Sequence, residues 1–104
     1  MPSSPLRAET TFLRGFTKSY FSGIAFNPIA ENEMREQGVS LAEVNYVLLM
    51  AAVVSSEKED ADGAVWRAKG NTLDGDCLTI TIEVSVGDYD LCIIGVSKLP
   101  RSQA

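Results

Sequence analysis

Histidine is absent from this 104-residue chain, and cysteine occurs only twice. Without an imidazole the chain has no side chain that normally exchanges a proton near neutral pH, and two cysteines alone cannot complete a structural zinc site. Cys77 and Cys92 fall in neighbouring predicted strands. A hairpin turning at Gly87-Asp88 would pair Cys92 with Glu83 and leave Cys77 about 20 Å away at ~3.3 Å per residue, too far for a disulfide. No metal, cofactor or disulfide is therefore expected. Long apolar runs are missing as well. None approaches the roughly 20 residues that cross a bilayer, and the N-terminus lacks a signal-peptide core, so a cytoplasmic protein without membrane contact is expected. Positive charge is scarce too: the formal net charge is -5, and from residue 27 onward six basic residues face thirteen acidic ones. Such a field repels phosphate backbones, which argues against direct nucleic-acid binding.

What is present suits one domain. At 45% hydrophobic content the chain can bury a single core. It is expected over residues 10–99, between a Pro/Ser-rich flexible tail at 1–9 and a polar tail at 100–104. Residues 10–21 place Phe12, Leu13, Phe16, Tyr20 and Phe21 on one helical face. Pro28 suits the first turn of a second helix, and Gly38 suits its left-handed stop. Ser40 and Glu43 form a capping-box pattern leading into Leu41, Val44, Val47 and Leu48. After this helix the apolar period falls to two, giving strands at 52–57, 64–70, 77–86 and 89–99, with turns at Asp74-Gly75 and Gly87-Asp88. The expected fold class is α+β: two or three N-terminal helices packed on one face of a four-stranded antiparallel sheet.

The two faces of that sheet differ. Leu78, Ile80, Ile82, Val84, Leu91 and Ile93 take the helix-packed side, while the uninterrupted register would pair Thr79 with Val96 and Thr81 with Ile94 on the other side, beside Cys92. A weakly charged, β-branched face of this kind suits a covered surface. The cover is either the 10–21 segment or a protein partner, which includes a second copy of the chain. The acidic run containing Glu57, Glu59, Asp60 and Asp62 reads as a solvated hairpin loop. Its functional reading is a patch of carboxylates that imitates nucleic-acid phosphates in a partner's basic groove.

Residues 26–40 read F-N-P-I-A-E-N-E-M-R-E-Q-G-V-S. Together with Trp66-Arg67-Ala68-Lys69-Gly70, Leu73-Asp74-Gly75, Leu78-Thr79-Ile80-Thr81-Ile82 and Ile93-Ile94-Gly95-Val96, this stretch resembles a family of uncharacterised bacterial domains, a distant branch of the RelE/ParE-like toxin superfamily. The resemblance spans roughly residues 12–99, and Phe26, Ala30, Met34, Gly38, Val39 and Ser40 match in register. It implies a RelE-like fold and, in competent members, metal-independent RNA cleavage through a 2'-hydroxyl, assisted by acid/base and cationic groups. Where the family pattern has His, Arg and Arg, this chain has Ile29, Glu33 and Gln37. Ile29 cannot move a proton, Glu33 reverses a charge, and Gln37 only hydrogen-bonds.

Two functions stay open. One is a non-catalytic protein-binding or inhibitor protein of bacterial or phage origin, of the antitoxin, immunity or anti-CRISPR kind, using the second sheet face and the acidic loop. The other is a ribosome-dependent or free RNA endonuclease relying on Arg67, Lys69 and Lys98, with Tyr89 or Tyr46 as proton donor. Against the second stands the plain expectation that such basic residues pair with Glu83, Asp76 or Asp90 across strands.

Overall fold

Local signals set the helix boundaries. In the computed structural model, which describes residues 6–57, 63–85 and 90–99, α1 (Arg7–Tyr20) runs into a short 3-10 turn (Phe21–Gly23), followed by β1 (Ala25–Phe26), α2 (Pro28–Gln37) and α3 (Leu41–Met50). Four further strands follow among the described residues: β2 (Ala52–Glu57), β3 (Gly63–Asn71), β4 (Cys77–Ser85) and β5 (Asp90–Leu99). The Asn27 side chain accepts the Ala30 N–H at 2.8 Å and Pro28 fills the first turn of α2. Gly38 ends the helix at φ 68°, a left-handed conformation that glycine adopts without a Cβ clash. Ser40 and Glu43 cap α3 reciprocally, as the sequence pattern requires.

Helix α1 begins at Arg7, inside the segment expected to be a tail, and Gly15 does not interrupt it. Its buried stripe is also not the aromatic one. Thr10, Leu13 and Thr17 point inward, while Phe12, Phe16 and Tyr20 form a ladder beside them with ring centroids 5.9 and 5.6 Å apart. Threonine can enter the core because both hydroxyls are partnered. Thr17 Oγ1 donates to the Leu13 carbonyl at 2.8 Å, and Thr10 Oγ1 accepts the Val53 N–H at 2.9 Å.

The sheet order is β1-β5-β4-β3-β2. Strands β2 to β5 pair antiparallel in sequence order, as expected, but β1 adds a fifth strand parallel to β5. The sheet is therefore five-stranded and mixed. Glu83 does face Cys92, yet the next pairs are Ile82 with Ile93 and Thr81 with Gly95, so Ile94 is a bulge. That extra residue corrects the expected face: Thr79 opposes Ser97, Thr81 opposes Gly95, and Val96 pairs with Ile80 and is only 2% exposed. A bulge shifts side-chain parity by one, and here it returns Val96 to the core.

All three helices lie on one side. Leu13, Met34, Val44, Val47 and Leu48 form a single core with Trp66, Ala68, Ile80, Ile82, Ile93 and Val96. Phe12 meets Trp66 edge-on at 6.0 Å, and Trp66 sits opposite Ile82. Helix α1 thus covers the core face, so of the two covers considered for the second face the 10–21 segment is not the one.

Candidate functional site

Strand β1 is two residues long, so it protects only part of β5. Ala25 and Phe26 pair with Cys92 and Ile93, and the Asn27 N–H donates to the Ile93 carbonyl at 3.0 Å. Beyond that point side chains of α2 take over. The Val96 N–H donates to Glu33 Oε1 at 2.9 Å. Gln37 Nε2 donates to the Val96 carbonyl at 2.8 Å, and Gln37 Oε1 accepts the Lys98 N–H at 2.8 Å. The Gln37 amide occupies the place of a peptide group on a neighbouring strand. Its Nε2 also donates to the Glu33 carbonyl one turn back, at 2.9 Å, which fixes its orientation.

Helix α1 treats the opposite edge similarly. The Leu6 N–H donates to the Val53 carbonyl at 2.8 Å, while the Val53 N–H goes to Thr10 Oγ1. Arg14 donates through Nε to the Ala51 carbonyl at 2.9 Å and through Nη2 to the Met50 carbonyl at 3.0 Å. Exposed edge strands are templates for adding another chain; such contacts engage β5 from Cys92 to Lys98, whereas on β2 they meet the strand at Val53, the Arg14 bonds falling on the chain just before it. Sequence reading placed Glu33 and Gln37 as replaced motif positions and missed this role. The signal was their i, i+4 spacing, which puts two long polar side chains on one face of a short helix.

The three motif positions therefore part company. Glu33 and Gln37 are engaged with backbone, whereas Ile29 is 64% exposed. The candidate catalytic residues also separate. Arg67 and Lys69 are exposed on the open sheet face, opposite Thr81 and Thr79. Arg67 Nη1 lies 3.3 Å from Glu57 Oε1, between two side chains that are half exposed. Lys98 is in register with Leu78, on the helix side, and its Nζ is 3.4 Å from Asp76 Oδ2. The anticipated Lys98–Asp76 pair forms, while Arg67 takes Glu57 on β2 in place of an acid on β4. Tyr46 belongs to α3 in the helix layer. Tyr89, Glu59, Asp60 and Asp62 lie outside the described residues.

The open face carries Val65, Arg67 and Lys69 on β3, then Thr79, Thr81 and Glu83 on β4, then Cys92, Gly95 and Ser97 on β5. No helix covers it among the described residues. Both cysteines are free thiols. Burial pushes the Cys92 thiol above its ordinary range and the Glu83 carboxylate adds to this, partly opposed by the Asn27 backbone N–H. Among the described residues, no group of three or more His, Cys, Asp or Glu side chains could hold a metal ion, and no helix is long and apolar enough to cross a membrane.

No family model, no curated protein and no solved structure matches the chain.

Proposed function

We propose that the chain is a non-catalytic protein-binding or inhibitor protein on a toxin-like frame, and that its partner docks on the open sheet face. The observation that carries this reading is the arrangement of the sheet. Among the described residues, β1 and α2 line the β5 edge, α1 meets β2 at Val53, the helices cover one face, and no helix covers the other. On that face Arg67 and Lys69 stand with Glu57 and Glu83, a mixed-sign surface with threonines between. Phosphate backbones require a field of one sign, so this composition suits a protein partner. The same separation of Arg67 and Lys69 from Lys98 weighs against the endonuclease alternative, which needs cations converging on one phosphate.

The reading is tested with purified partner recovered from the host cell. Calorimetry should give saturable one-to-one binding, weakened by a Thr79→Glu, Thr81→Glu double variant that leaves the unfolding midpoint in place. Binding indifferent to those changes would refute the sheet-face assignment. RNA cleavage by the unmodified protein that disappears in Arg67→Ala would restore the enzymatic reading.

A further inference from the structure

A second surface lies on the helix side, where the β3–β4 turn meets α3. Thr72 is only 5% exposed and holds this turn closed. Its N–H donates to the Asp76 carbonyl at 2.8 Å, its carbonyl accepts the Gly75 N–H at 3.0 Å, and its Oγ1 accepts the Asp76 N–H at 3.2 Å. Gly75 at φ 90° lets the chain reverse. The consequence is that Leu73 is held at the tip with 81% of its surface in water. On α3, Ala42, Tyr46 and Met50 follow one another at i, i+4 and i+8, and all three are exposed. Between turn and helix is a groove of about 270 Å³ lined by Ala42, Glu43, Tyr46, Leu73 and Asp74. Both charged residues of that lining are acids, whereas the neighbouring groove beside α2 carries Arg35 as well as Glu31.

We infer that this groove is a docking site for a basic protein segment, which inserts one apolar side chain between Tyr46 and Leu73 and sets Lys or Arg beside Glu43 and Asp74. The volume falls below the roughly 300–1,000 Å³ typical of drug-sized ligands, so a single anchoring side chain fits better than a small molecule. Because the turn backbone is already closed, only the Leu73 side chain has to be ordered on binding, which favours it as an anchor. The opposite charges supply steering, in keeping with the net charge of -5. The site is independent of the open sheet face.

The test is an amide NMR titration of the full chain with a short amphipathic leucine/lysine peptide. Two control peptides are used, one with every lysine replaced by glutamate and one with every leucine replaced by serine. Saturable shifts at Ala42, Tyr46, Leu73 and Asp74 are expected for the first peptide only. Leu73→Ser and Asp74→Lys, both at exposed positions, should each weaken it by about tenfold, or about 1.4 kcal/mol. Equal binding of the glutamate peptide, shifts confined to the sheet face, or no saturable shift would each overturn the assignment.

Discussion

Gln37 makes two hydrogen bonds to the backbone of β5, accepting from Lys98 and donating to Val96. Gln37→Ala leaves both of those groups without their partner. Loss of such bonds at a part-buried site costs about 1–3 kcal/mol, measurable as a lowered denaturant midpoint with an unchanged slope. Glu33→Gln should cost less, because its side-chain carbonyl still accepts the Val96 N–H. Cys92 gives a separate residue-scale prediction. Its alkylation rate should rise with pH to an inflection above that of an ordinary thiol, since burial and Glu83 both disfavour the thiolate. Glu83→Gln removes the second cause and should move the inflection down; an unmoved inflection would exclude Glu83 from the shift.

At the scale of elements, the caps explain why so much of the fold was legible. Pro28, Gly38, Ser40 and Glu43 act within a few residues of chain, and each sits where its local preference places it. Gly38→Ala should cost about 1–2 kcal/mol from the left-handed backbone alone, because a Cβ there meets nothing within 4 Å. Thermal or denaturant unfolding checks this. The bulge was harder to see. Register past Ile93 depends on which side chains find room in the core, and periodicity alone continued the alternation through Ile94. The available signal was Gly95, a glycine inside a strand pattern, followed by Val96 out of phase with Leu91 and Ile93. Strand β1 was illegible for another reason: two residues carry no period, and their partners Cys92 and Ile93 lie far away in sequence. The inward stripe of α1 was legible only in part: Leu13 is buried and Phe16 and Phe21 pack against the core, whereas Phe12 and Tyr20 stay exposed. Thr10 and Thr17 enter the core through hydrogen bonds that a hydropathy pattern does not represent.

For the whole molecule, the polar side chains of α2 belong to the architecture of the sheet. The candidate site was legible only in part, since the threonine face was anticipated while the edge contacts depend on how α2 meets β5 in space. Putting arginine at the two motif positions makes the distinction visible. Arginine donates but cannot accept, so Glu33→Arg with Gln37→Arg deprives the Val96 and Lys98 N–H groups of their acceptors. The double variant should lose stability and gain no RNA cleavage, as followed by unfolding midpoint and by digestion of total RNA. The most direct measurement is native-state hydrogen exchange at the Val96 and Lys98 amides in the unmodified chain and in Gln37→Ala. Both amides should be protected in the unmodified chain, with Lys98 losing protection in the variant while the β4 amides retain theirs. Fast exchange at both amides in the unmodified chain, or unchanged protection of Lys98 in Gln37→Ala, would contradict the role assigned to α2.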